Sequence, residues 1–157
     1  MTVKDLVQLL EKRLEENEKE ISNNIIFVYV GCPAFDGDEL GCPCICVQEK
    51  IVDNNLSNKP RYKIKNMFKS SEFISITCDN KKVSKKEECI TFSKLIEILK
   101  NIEDKEKEVY IETFTNLDNP QYTDILNVWP YLGEIFDNVS EYVKRLSSNR
   151  YFFSVIV

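Results

Sequence analysis

The sequence predicts an α+β domain, with a mixed or mainly antiparallel sheet packed by about three helices. Three observations carry that expectation. Apolar stripes at helical spacing occur at 3–18, 91–102 and 130–147, short β-branched and aromatic runs lie between them, and only four Gly and five Pro are available for turns. A length of 157 residues falls within the range of one domain, and 43% hydrophobic with 30% charged residues is the balance of a globular chain.

Val3, Leu6, Val7, Leu10 and Leu14 mark the first helix, over 3–18, with Thr2 placed to cap it and Asp5 three residues later as an approximate capping box. Its other face, with Lys4, Glu11, Lys12, Glu15 and Lys19, reads as solvated. The unbroken run 25–30 is too short for a helix and suits a strand covered on both faces. A second strand is expected over 42–52, where Cys44 and Cys46 alternate with Ile45, Val47 and Glu49, and Asp53, Asn54 and Asn55 then supply a turn. Residues 61–65 alternate Arg61, Lys63 and Lys65 with Tyr62 and Ile64, the pattern of a half-buried edge strand. Residues 73–78 form another strand, closed by an Asp79-Asn80 turn.

The second helix, 91–102, carries Phe92, Leu95, Ile96, Leu99 and Ile102 on one stripe. A strand over 109–114 and a turn at Asp118-Asn119-Pro120 follow. The third helix is predicted from Pro130, a residue suited to a first turn, to 147, with Ile135, Val139, Tyr142, Val143 and Leu146 inward. Residues 150–157 close the chain as a strand that the core requires.

Residues 1–10 align without gaps to residues 90–99, sharing Thr2/Thr91, Leu6/Leu95 and Leu10/Leu99. Each copy is followed by a charged linker and an apolar strand, with 23 positions from Thr2 to Ile25 and 18 from Thr91 to Val109. The pattern suggests a single domain, 1–157, built of two duplicated helix–strand halves, 1–58 and 90–157, joined by a segment at 59–86. Any two capped amphipathic helices share part of this pattern.

Charge sets the three parts of the chain apart. Lys and Arg against Asp and Glu number 5 to 11 over 1–58, 9 to 2 over 59–86, and 7 to 13 over 87–157, within a net charge of -5. An acidic protein with a basic middle points to a charged partner. No stretch approaches the roughly 20 apolar residues of a membrane helix, and the N-terminus lacks the basic-then-apolar order of a signal peptide. A cytoplasmic protein with reduced thiols is therefore expected, with no membrane partner.

The chain contains no His. That excludes Ser-His-Asp and Cys-His catalysis, histidine general bases and histidine metal triads, and neither Gly-x-x-x-x-Gly-Lys nor Gly-x-Gly-x-x-Gly is present. The sequence predicts no enzyme and no cofactor. Cys32, Cys42, Cys44 and Cys46 have the ligand number for zinc, but their spacing is that of a strand rather than a paired knuckle, so packing of thiols as small hydrophobes is the favoured reading. Asp36, Asp38 and Glu39 lie in a loop bounded by glycines that could hold a divalent cation or face a basic partner; they fall short of the ligand count of a Ca²⁺ loop, and a solvated acidic loop is the favoured reading. Lys59, Arg61, Lys63, Lys65, Lys69, Lys81, Lys82, Lys85 and Lys86, interleaved with Tyr62, Phe68 and Phe73, fit a solvated hairpin, a protein interface or a nucleic-acid contact; the acidic flanks favour the first two. Trp129 and Tyr131 flank Pro130 and suit either an interface anchor or the end of the core.

These features predict a non-enzymatic binding protein, an inhibitor that docks an acidic surface on a basic target such as a nuclease. The opening Met-Thr-Val-Lys-Asp-Leu-Val-Gln-Leu-Leu followed by a strand, roughly 30 residues in all, resembles the start of small acidic proteins of phages and mobile elements. Some of these are anti-CRISPR or other anti-defence inhibitors, and toxin-immunity proteins are similar in size, charge and class. The resemblance implies a protein partner and carries no functional residue across. The alternatives are an immunity protein and a nucleic-acid-binding or Cys-zinc regulator.

Overall fold

The computed structural model describes residues 1–17, 26–30, 40–51, 71–78, 89–114, 120–125, 127–132 and 151–156. They form, in chain order, α1 (Val3–Asn17), β1 (Ile26–Val30), β2 (Leu40–Ile51), β3 (Glu72–Cys78), α2 (Phe92–Asn101), β4 (Val109–Phe114), β5 (Pro120–Asp124), β6 (Asn127–Leu132) and β7 (Tyr151–Ile156). The fold is α+β, as the sequence predicts.

Both helices begin where the sequence places a cap. The Asp5 amide donates to Thr2 Oγ1 at 3.2 Å while the Thr2 amide donates to Asp5 Oδ2 at 3.1 Å, a reciprocal pair that satisfies two of the amide groups left open at a helix start. At α2 the Lys94 amide donates to Thr91 Oγ1 at 3.3 Å. The other end of α2 is closed by Lys105, whose ammonium donates to the carbonyls of Leu99, Lys100 and Ile102, placing positive charge at the negative end of the helix dipole.

The helix predicted from Pro130 is corrected at its start. Trp129, Pro130 and Tyr131 lie in β6, opposite Ser154, Phe153 and Phe152 of β7. The physical reason is local: Val-Trp-Pro-Tyr is β-branched and aromatic, and β6 is an outer strand, where a proline's missing N–H costs no internal ladder bond. Pro120 likewise opens β5 instead of closing a turn. The rest of that predicted helix, the strand at 61–65, and the turns at 53–55 and 79–80 lie outside the described residues, which contain two helices.

The seven strands run in the order β5-β4-β3-β2-β1-β7-β6. β3 with β4 and β1 with β7 are parallel; the other pairs are antiparallel. Strands in a sheet lie about 4.8 Å apart, so a flat seven-strand sheet would separate its outer strands by roughly 29 Å. Yet those outer strands, β5 and β6, are joined by Ile125 and Leu126 alone, a span of about 11 Å at most. The sheet therefore curls until its two edges approach each other. Both helices pack on the same side of it: Leu6, Leu10, Leu95 and Leu99 form one buried cluster with Ile26, Ile76, Ile111 and Val128. Full burial of each such side chain is worth about 1.5–3 kcal/mol.

Among the described residues two halves repeat the same element order and the same pairings, with β3, which the sequence leaves in the joining segment 59–86, belonging to the first. α1-β1-β2-β3 matches α2-β4-(β5,β6)-β7. In each half a strand after the helix pairs antiparallel with the start of a long stretch, whose end then pairs antiparallel with the last strand. The remaining two contacts are parallel and join the halves: β3 to β4, and β7 to β1. The leads of the helices are exchanged as well, for the Val109 amide donates to the Met1 carbonyl at 2.8 Å and the Ile26 amide to the Ile90 carbonyl at 3.2 Å.

With Met1 set against Ile90 and Ile26 against Val109, the ladders carry the correspondence round the sheet without adjustment. Pro43 then matches Asp124, Ile74 matches Phe153, and the pair Val47/Ile76 falls on the pair Val128/Val155, which are indeed cross-strand partners. Phe73/Phe152 and Ser75/Ser154 join the three identities of the helices. The strand equivalent to β4 thus starts at Ile26, one residue later than the sequence suggested.

Candidate functional site

Two chemically distinctive groups lie among the described residues, one on each face of the sheet around β2 and β3. The first is on the face turned away from the helices. Glu112 of β4 stands alone as a charge in the run Val-Tyr-Ile-Glu-Thr-Phe, and its side chain is 3% exposed. Ser75 of β3 donates to Glu112 Oε2 at 2.9 Å, and the Lys50 ammonium of β2 pairs with the same oxygen. Lys50 also donates to the Tyr122 hydroxyl at 3.3 Å. Phe73 stacks edge-on against Tyr110 and Tyr122, with centroids 5.6 and 5.3 Å away.

A serine, a carboxylate, a lysine and a tyrosine are the ingredients of several nucleophilic sites, but attack on a substrate requires an approach for it. Ser75 is fully buried, and both its partner and its neighbours are within the sheet. The group fastens β2, β3, β4 and β5 to one another. In the matching half Glu112 corresponds to Tyr29 and Lys50 to Tyr131, so only one half carries the ion pair.

Nearby, at the start of β3, Lys107 reaches Glu72 at 3.1 Å and Glu49 at 3.2 Å. Hydrogen bonds to Glu72 and then Glu49 hold its ammonium above the usual lysine value. Ile51, at the end of β2, is 67% exposed and is the residue from which the chain leaves toward the basic segment.

The second group is the cysteines. Cys44 and Cys78 are cross-strand partners on the helix-facing side, with sulfurs 3.1 Å apart. The register of β2 shifts between Cys44 and Cys46, and this bulge turns Cys46 to the other face, opposite Thr77. Cys42, Cys44 and Cys46 therefore do not share one face, as simple alternation had implied. Cys42 lies opposite Val28, and Cys32 is outside the described residues. Among the described residues no three Cys, Asp or Glu side chains gather in a metal-binding arrangement.

Of the other residues singled out in the sequence, Asp36, Asp38, Glu39, Arg61, Lys63 and Lys65 lie outside the described residues, while Trp129 and Tyr131 are placed in β6. Glu112, Lys50 and Ser75 were not singled out; the signal was a lone acidic residue inside an apolar strand. Among the described residues no helix is long and apolar enough to cross a membrane. Compared with family models, curated proteins and solved structures, the chain matches none.

Proposed function

We propose that this protein is a non-enzymatic inhibitor that binds a protein partner with a basic surface, such as a nuclease or a nucleic-acid-binding defence complex. The observation that supports it is where the charge sits. The described residues hold 8 Lys and Arg against 13 Asp and Glu, a net charge of -5. An acidic framework steers toward positive substrate channels and repels phosphate backbones. The absence of histidine from the sequence and the burial of Ser75 within the sheet support a binding role over catalysis.

The test is affinity capture from the native host at low and at moderate salt, with and without nuclease. The reading requires one stoichiometric protein partner that survives nuclease and binds more weakly as salt rises, since exposed charges are screened beyond about 10 Å at 0.1 M. Recovery of nucleic acid alone, lost on nuclease treatment, overturns it in favour of a nucleic-acid regulator acting through residues 59–86.

A further inference from the structure

We propose that Cys44 and Cys78 are a reversible oxidation site, closing to an intramolecular disulfide at the corner where β2 leaves β1 and joins β3. Their sulfurs are 3.1 Å apart, and the two residues are direct partners in an antiparallel ladder. Partners of that kind have Cα atoms about 4.5–5.5 Å apart, inside the roughly 4.4–6.8 Å that a disulfide spans. Approach to the bonded distance of about 2.05 Å needs a movement near 1 Å, within the reach of side-chain rotation. Cys46 faces the other way, and Cys42 is two residues along the strand, about 7 Å off.

The matching half shows that the fold does not demand thiols at this corner. Ile125 stands where Cys44 does, 3% exposed, and the sequence counterpart of Cys78 is Val157. A hydrocarbon side chain at Ile125 takes the place that a thiol takes at Cys44, so this position does not require sulfur for packing.

The exposures of 1% and 0% call for a small oxidant. With hydrogen peroxide, one sulfur attacks as its thiolate and breaks the O–O bond. That gives a sulfenic acid and a hydroxide, which takes up the released proton as water. The second sulfur, losing its proton, then displaces the sulfenic hydroxyl as a second water and forms the S–S bond. Two thiols and one peroxide become one disulfide and two waters, and a dithiol reductant reverses the change by exchange. The bridge closes a loop of 34 residues that contains the basic positions from Lys59 to Lys69. Restricting the unfolded chain in this way is expected to raise Tm by about 5–10 °C.

The test uses the full chain, reduced and then treated with a small excess of peroxide, followed by alkylation in denaturant and peptide mapping without reductant. The expected result is a cross-linked peptide containing Cys44 and Cys78, a higher Tm, and return of both changes with dithiothreitol. The Cys44→Val variant is expected to melt cooperatively and to show no peroxide-dependent rise in Tm. If that variant does not fold, the map of the unsubstituted chain decides by itself. Cys44 and Cys78 both alkylated after peroxide, or either one joined to Cys32, Cys42, Cys46 or Cys89, overturns the proposal.

Discussion

The first half of the chain and the second solve one problem with different residues. Each must carry a long stretch of chain from one neighbour to another across a corner of the curled sheet. The first does it with one continuous strand, β2, bent by a bulge beside Cys44 and Cys78; the second divides the same path into β5 and β6 at Ile125. Outside the corner the contrast is sharper. Where one half buries the Lys50–Glu112 ion pair, the other has Tyr131 and Tyr29. Pairing and register are thus common property, whereas the chemistry on the sheet faces is particular to each half. The particular residues are the ones to test for function.

The largest effect is expected from removing what the halves share. β7 lies between β1 and β6, so a chain ending at Asn149 leaves both without their common neighbour. It is expected to lose its cooperative thermal transition in calorimetry; a cooperative melt would mean that the first half holds itself together without the second. Next comes the unshared ion pair. Lys50→Met leaves the Glu112 carboxylate buried without its cation, and a loss of about 3–5 kcal/mol is expected in urea unfolding, partly restored by Glu112→Gln in the same chain. No loss would show that the pair is as dispensable as its tyrosine counterparts suggest.

The helix caps are shared and should respond alike. Thr91→Ala and Thr2→Ala are each expected to cost about 1 kcal/mol, read from the same urea transitions. They differ in pH dependence. The Thr2 amide and hydroxyl hold the Asp5 carboxyl below its usual value, so its contribution is complete above the unfolded-state pKa and is lost as pH falls through the folded-state one. Acidification below about 4 should erode the effect of Thr2→Ala and leave that of Thr91→Ala unchanged. The smallest effect belongs to reconnection. A permuted chain, opened within 79–88 and with Val157 joined to Met1 by a linker of similar length, exchanges the order of the halves and keeps every described strand pairing, losing the ion pair of the Met1 ammonium with Glu108. It is expected to unfold cooperatively, within about 2 kcal/mol of the parent; failure to fold would break the equivalence of the halves.

The two described helices and five of the strands were legible because each carries its own periodicity and, for the helices, its own cap. β5 and β6 were not, since Pro120 and Pro130 carry turn and helix-start signals that an outer strand overrides. The repeat was visible only in its first ten residues. The offset between the halves is 89 residues in the helices, 83 from β1 to β4, 81 along β2 and 79 from β3 to β7, so an ungapped comparison loses it at the first linker. Only the ladders hold Phe73 against Phe152 and Ser75 against Ser154. Glu112 was hidden for another reason: a lone charge in a strand does not reveal which distant Lys and Ser will meet it.

The parallel contact of β1 with β7 sets the order of events during synthesis. Ile26 is synthesised 127 residues before its partner Phe153. No stretch of chain shorter than about 130 residues can complete the sheet, and pairings of such long range make folding slow. Until then β1, an apolar run of Ile, Phe, Val and Tyr, lacks one of its two neighbours. Through that interval an apolar strand with one edge unfilled is open to pairing with other chains.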